Sequence, residues 1–129
     1  MKSDTWLSSA VKKLEIAGVS TARLDCLVLL EDCLSKNRAQ LLAHPEMPLT
    51  DQHIDILDAQ IERRCQHVPL AYLRGKTEFY GREFIINEDV LEPRPESETM
   101  IDMFLQLFKN QQALDLKVLD IGTGSGALG

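Results

Sequence analysis

Basic charge is what this chain has too little of. Its 14 lysines and arginines are outnumbered by 20 aspartates and glutamates, giving a formal net charge of −6 at pH 7. That balance argues against a non-specific nucleic-acid footprint, which needs a positive surface. Only a local basic patch stays compatible with it, and no direct contact with nucleic acid is expected. Long apolar runs are missing as well. None approaches the roughly 20 residues needed to cross a bilayer, and no signal-peptide apolar region follows Met1-Lys2-Ser3-Asp4-Thr5. The expectation is a cytoplasmic protein with no membrane partner.

Metal and disulfide chemistry are equally thin. Cys26, Cys33 and Cys65 form no Cys-x-x-Cys pair and no metal-ligand spacing. They read as small apolar core residues. His44, His53 and His67 are scattered through polar or turn-like contexts, so no metal site is expected. The chain holds no internal repeat and no low-complexity segment. What it does have is 44% apolar residues over 129 positions, enough for one compact domain with an appendage.

The first half reads as helices. Trp6, Leu7, Ala10, Val11, Leu14 and Ala17 follow the i, i+3, i+4 rhythm, with Ser3 or Asp4 as N-cap and Gly18 as the stop. A second helix starts at Ser20 or Thr21 and carries Leu24, Leu27, Val28, Leu30 and Leu34. It is apolar nearly all round, which predicts the central position in a bundle. A short helix is expected over Arg38–Ala43 behind an Asn37 cap. The two prolines of His44-Pro45-Glu46-Met47-Pro48 make that stretch a loop. Thr50 then caps a long helix to about Gln66, with Leu49 and Ile54 as a hydrophobic staple. Ile54, Leu57, Ile61 and Cys65 continue the buried stripe. Pro69 opens one more turn, Leu70-Ala71-Tyr72-Leu73, and Gly75 closes it.

The texture changes at Gly75. Thr77 to Tyr80 and Glu83 to Ile86 read as short strands joined by Gly81-Arg82, where a glycine in the first central position suits a type II′ turn. Leu91-Glu92-Pro93-Arg94-Pro95-Glu96-Ser97-Glu98 must be extended before it enters a helix, because each proline disfavours the α conformation in the residue before it. Glu96 and Glu98 complement the dipole of that helix, and Met100, Ile101, Phe104, Leu105 and Phe108 give it an apolar face. Leu116 to Ile121 reads as a strand running into Gly122-Thr123-Gly124-Ser125-Gly126.

A strand, a glycine-rich turn and a helix start are the ligand-binding unit of doubly wound folds. Missing β-carbons let the backbone approach the ligand closely, and a helix N-terminus supplies amide donors. Gly124-x-Gly126-x-x-Gly129 satisfies the dinucleotide fingerprint literally, so a dinucleotide-binding oxidoreductase stays open. Asp120, at the strand end two residues before the first glycine, tilts the balance. A carboxylate there suits a ligand with an ammonium group and would repel a pyrophosphate. A turn or helix-capping acid without a ligand is the plainer alternative for Asp120.

From about Pro69 onward the sequence resembles the HemK family, the protein-(glutamine-N5) methyltransferases that modify peptide chain release factors. Pro69-Leu70-Ala71-Tyr72-Leu73-Arg74-Gly75, Glu78-Phe79-Tyr80-Gly81 with Phe84, Val90 to Glu98, and Val118 to Gly126 carry the resemblance. Pro93-Arg94-Pro95-Glu96 is its most diagnostic stretch. Glu92 and Ser97 depart from the usual apolar residue and threonine, and Ser97 keeps the hydroxyl. The helical first half matches the family's N-terminal domain in size and kind.

The resemblance implies an α-helical N-terminal bundle over 1–74 that takes part in substrate recognition, and a β-hairpin linker over 75–90. It implies that 91–129 begins a class I methyltransferase domain, Rossmann-like α/β, truncated after its first strand. The implied cofactor is S-adenosyl-L-methionine, held by Asp120, Gly122, Thr123, Gly124, Ser125 and Gly126 with Arg94 and Pro95 over the same pocket. The resemblance also implies that Phe79 helps close the pocket, with packing inside the hairpin as the favoured competing reading. A surface ion pair of Arg94 with Glu96 or Glu98 is the competing reading for that arginine. The implied partners are peptide chain release factors, whose Gly-Gly-Gln loop presents the glutamine. The family's Asn-Pro-Pro-Tyr catalytic motif is expected beyond Gly129, so residues 1–129 alone should be inactive. A related enzyme that methylates a ribosomal protein at glutamine shares the later motifs. A non-catalytic helical interaction module is the remaining alternative.

Overall fold

The computed structural model describes residues 1–109, 115 and 117–129. The chain divides into two compact units, Met1–Arg74 and Gly75–Gly129.

The first unit is built from five helices. Helix α1, Ser3–Ile16, ends where Gly18 takes a positive φ of 80°. The Val19 amide then donates to the Leu14 carbonyl and the Gly18 amide to that of Glu15, which satisfies carbonyls the helix end would leave bare. The start of α1 differs from expectation. Lys2 is the N-cap, and neither Ser3 nor Asp4 serves. Ser3 is the first helical residue, buried, and its hydroxyl donates to the Pro45 carbonyl 3.0 Å away. Tertiary contact with the 44–48 loop has taken the side chain that local logic assigned to capping.

Helix α2, Ala22–Leu34, packs against α1 and against α3 (Arg38–Ala43), α4 (Asp51–Cys65) and α5 (Leu70–Arg74). It is the central helix, as its apolar circumference predicts, although Leu24 stays about half exposed. Helices α3 and α4 begin with the expected side-chain caps. The Asn37 Oδ1 accepts from the Gln40 amide at 2.9 Å, and Thr50 Oγ1 accepts from the His53 amide at 3.2 Å. Leu49 is buried and Ile54 packs against the same core, the placement that a staple requires.

Trp6, Leu14, Leu29, Leu30, Leu57 and Ile61 lie at the centre of the core. Burying each such side chain stabilises the unit by about 1.5–3 kcal/mol. Two polar links cross this apolar interior. Trp6 Nε1 donates to Asp58 Oδ1 at 2.9 Å, and Arg64 Nε donates to Asp25 Oδ2 at 2.7 Å.

The second unit opens with an antiparallel hairpin, β1 (Lys76–Phe79) and β2 (Arg82–Ile85), in which Lys76 faces Ile85 and Phe79 faces Arg82. The turn residues are therefore Tyr80 and Gly81, one position earlier than Gly81-Arg82. Both have positive φ, 49° and 72°, the signature of a type I′ turn in place of the expected II′. Phe79 is buried and meets Phe84 edge to face, with ring centroids 6.4 Å apart. A 3-10 turn at Pro95–Ser97 leads into helix α6, Glu98–Phe108.

Helix α6 has the expected apolar face, although none of its apolar residues is buried and Met100 and Leu105 are more than half exposed. One further expectation is corrected by the structure. Of the expected strand from Leu116 to Ile121, Leu116 lies outside the described residues and 117–121 form no strand. The side chains of Val118, Leu119 and Ile121 are 68–86% exposed. A strand of a parallel sheet is stabilised only by the neighbours it pairs with, and none is present among the described residues. The apolar character that marks 117–121 as a buried strand is therefore unmet.

Candidate cofactor site

The second unit forms its pocket between α6 and the chain's last described segment. Met100, Ile101 and Phe104 of α6 face Val118, Asp120 and Gly129 across a cavity of about 460 Å³. Among the described residues of its lining, Asp120 alone has an ionisable side chain. Its Oδ2 atom is buried and has no hydrogen-bond partner among the described residues. A carboxylate oxygen removed from water without a donor is unfavourable by about 1–3 kcal/mol or more. An arrangement of this kind is ready to accept a cation or a cluster of N–H donors.

Beyond Asp120 the backbone folds back on itself. The Gly126 amide donates to the Thr123 carbonyl at 2.8 Å, and the Gly129 amide donates to that of Gly126 at 3.2 Å. Gly122, Gly124 and Gly126 all hold positive φ, at 72°, 54° and 79°. A β-carbon at any of the three would meet nothing within 4 Å. Glycine is thus demanded there by conformation, with open space left where a ligand could approach. Thr123 is exposed and Ser125 half-buried along the same turn.

The remaining expected site residues lie elsewhere in the unit. Arg94 and Pro95 are exposed at the entry to α6, outside the lining of the Asp120 cavity. Arg94 pairs with no carboxylate among the described residues. Glu98, one of the two acids expected to compete for it, instead accepts the Tyr80 amide at 2.7 Å. Tyr80 also donates its hydroxyl to Asp102 Oδ1 at 2.6 Å. This contact was not anticipated from sequence, and the only hint of it is the i, i+4 spacing of two acids on α6.

The helical unit carries a smaller groove of about 160 Å³ where Leu7, Leu27, Leu41 and Leu42 come together, rimmed by Asp4 and Arg23. Of its three cysteines, Cys26 is not a reactive centre. The Cys26 thiol is wholly buried and pushed up to about 12, first by burial and then by the adjacent Asp25 charge. A thiol so held stays protonated and inert near neutral pH.

Residues 5–75 match the family model described as the PrmC N-terminal domain, and the chain belongs to that family. A release factor glutamine methyltransferase of Koribacter versatilis is 42% identical over 120 residues, covering 93% of this chain and 42% of that protein. One from Coxiella burnetii is 40% identical over 108 residues, or 84% of this chain and 38% of that protein. A bifunctional methyltransferase of Rickettsia bellii is 34% identical over 148 residues, 95% of this chain and 26% of that protein. The chain thus spans about two fifths of the length of the release factor glutamine methyltransferases it matches.

Proposed function

We propose that this sequence supplies the helical substrate-recognition unit and the opening of the cofactor pocket of an S-adenosylmethionine-dependent enzyme. Its reaction is methylation of the side-chain amide nitrogen of the glutamine in the Gly-Gly-Gln motif of peptide chain release factors. The observation that carries the reading is the orphaned Asp120 Oδ2 at the base of a turn whose three glycines hold positive φ. The names of the relatives support the coarser part of this reading, methylation of a glutamine in release factors.

The residues present fit such a cofactor. When bound, S-adenosylmethionine supplies an electrophilic methyl group on a sulfonium centre. Asp120 offers its unpartnered oxygen to the ammonium of the methionine moiety, an attraction strengthened by partial removal from water. The backbone of Gly122, Thr123, Gly124, Ser125 and Gly126 lies open to the rest of the ligand. Arg94 and Pro95, which lie outside the lining of the Asp120 cavity, would belong to the cofactor site only in the longer protein under this reading.

Residues 1–129 alone are inactive under the same proposal. The Asn-Pro-Pro-Tyr sequence that would hold a glutamine amide in line for attack does not occur in them. Exposed Val118, Leu119 and Ile121 also leave the glycine turn without a sheet behind it.

The test is transfer of labelled methyl from S-adenosylmethionine, mapped by mass spectrometry. A protein carrying this sequence with its downstream catalytic motif should methylate the Gly-Gly-Gln glutamine, and Asp120→Asn should raise KM for the cofactor. Residues 1–129 alone should transfer nothing. Labelling of a ribosomal protein in place of a release factor would overturn the substrate assignment, and labelling of neither would overturn the reaction.

A further inference from the structure

The hairpin and the start of α6 are joined by one residue. Tyr80 stands in a left-handed conformation, φ 49°, that non-glycine residues rarely adopt. Such an outlier persists only where its surroundings hold it, and here two contacts do so. The Tyr80 amide donates to Glu98 Oε1 at 2.7 Å, and its hydroxyl donates to Asp102 Oδ1 at 2.6 Å. Glu98 and Asp102 are four residues apart on α6, so they share a face about 6 Å apart along the axis. Two like charges so placed repel each other. A tyrosine reaching from its backbone amide to its hydroxyl along that face gives each carboxylate a donor.

A second tie lies closer to the base of the hairpin. Thr77 Oγ1 donates to Glu92 Oε1 at 3.4 Å. Pro93, Arg94, Pro95, Glu96 and Ser97 therefore lie between two attachments to the same hairpin, one at Glu92 and one at Glu98. The two prolines limit the conformations of this stretch, and the ties fix where its ends are.

We propose that Tyr80 is a positioning residue, which sets the Pro93–Ser97 loop and the direction of Arg94 by clasping Glu98 and Asp102. Its consequence for cofactor binding rests on the methyltransferase reading above, whereas its consequence for the loop does not. The hairpin turn acts as a gauge for the loop; a glycine in place of Tyr80 would keep the turn and lose the hydroxyl tie.

Amide hydrogen exchange on the 129-residue chain tests this without any ligand. Tyr80→Phe removes the hydroxyl tie and leaves the turn backbone intact. Exchange at Ser97, whose amide donates to the Arg94 carbonyl at 3.0 Å, should quicken roughly three- to tenfold, the scale of one lost hydrogen bond. Protection at the Lys76–Ile85 ladder should not change. Glu98→Ala should have the same effect from the helix side, and Glu98→Gln, which keeps an acceptor oxygen, should restore much of the protection. Unchanged exchange in both Tyr80→Phe and Glu98→Ala overturns the proposal. Should Tyr80→Phe also loosen the hairpin, Glu98→Ala decides: quickened loop exchange beside an intact ladder supports the clasp, and an unaltered loop overturns it. In a methyl-transfer assay of the longer protein, Tyr80→Phe should raise KM for the cofactor several-fold with little change in kcat. Absence of any methyl transfer there would count against the proposed reaction and leave the exchange result standing.

Discussion

Asp25 and Arg64 meet between α2 and α4 with 2.7 Å separating Oδ2 from Nε, and Asp25 is 3% exposed. Arg64 is held further by donation from Nη1 to the Val68 carbonyl at 3.3 Å. A charge so deeply buried is tolerated only when it is paired and hydrogen-bonded.

Removing one partner should therefore matter more than removing both. Asp25→Ala or Arg64→Ala should destabilise the helical unit by about 3–5 kcal/mol, because each strands the opposite charge. The double replacement Asp25→Leu/Arg64→Met should recover most of that loss. Urea unfolding followed by far-ultraviolet circular dichroism checks the cycle. Equal and additive losses would show that the pair is not coupled.

The one tryptophan of the chain is a reporter for the same unit. Trp6 is buried and its Nε1 donates to Asp58 Oδ1 at 2.9 Å. Asp58→Ala leaves that indole N–H without its acceptor and should lower stability by about 1–3 kcal/mol. Tryptophan emission should shift to longer wavelength in a transition that coincides with the loss of helix signal.

Cys26 should resist thiol reagents for as long as α2 stays packed. Burial, and secondarily the Asp25 charge, push its thiol up to about 12. The folded value lies above that of the unfolded chain, so the contribution to stability is full below the unfolded thiol pKa and is lost as pH rises through the folded value. Peptide mapping after alkylation at alkaline pH should find Cys33 labelled and Cys26 untouched until denaturant is added. Labelling of Cys26 at the rate of Cys33 in folded protein contradicts this.

Tyr80 should ionise above the ordinary tyrosine range. The cause is first its hydrogen bond to Asp102, then partial desolvation and the charges of Asp102 and Glu98. The raised folded value means that the contact supports folding fully below the usual tyrosine pKa and lapses as pH climbs through the folded one. Phenolate absorbance, taken as the difference between the natural chain and Tyr80→Phe, measures it directly. Asp102→Asn should lower the midpoint by removing the charge while keeping an acceptor.

Local chemistry made much of the helical unit legible. Asn37 and Thr50 cap as their residue type requires, because a cap is settled within three residues of sequence. Gly18 stops α1 because it alone nearby takes a positive φ at little cost. The family was also legible, since Pro93-Arg94-Pro95-Glu96 and the glycine turn are contiguous motifs, and the relatives support the assignment.

Contacts distant along the chain were hidden. Nothing in the spacing of Asp25 and Arg64, or of Ser3 and Pro45, announces that they meet, because only helix packing brings them together. The turn at Tyr80-Gly81 was misplaced by one residue for the same reason: its strained tyrosine is held by Glu98 and Asp102, far along the chain. The sequence by itself determined helix starts and stops, the charge balance and the glycine turn, all of which depend on near neighbours. Only the tertiary structure decided which polar groups are buried and paired, and that Asp120 carries an unpartnered oxygen, because desolvation depends on what the folded chain places around each atom.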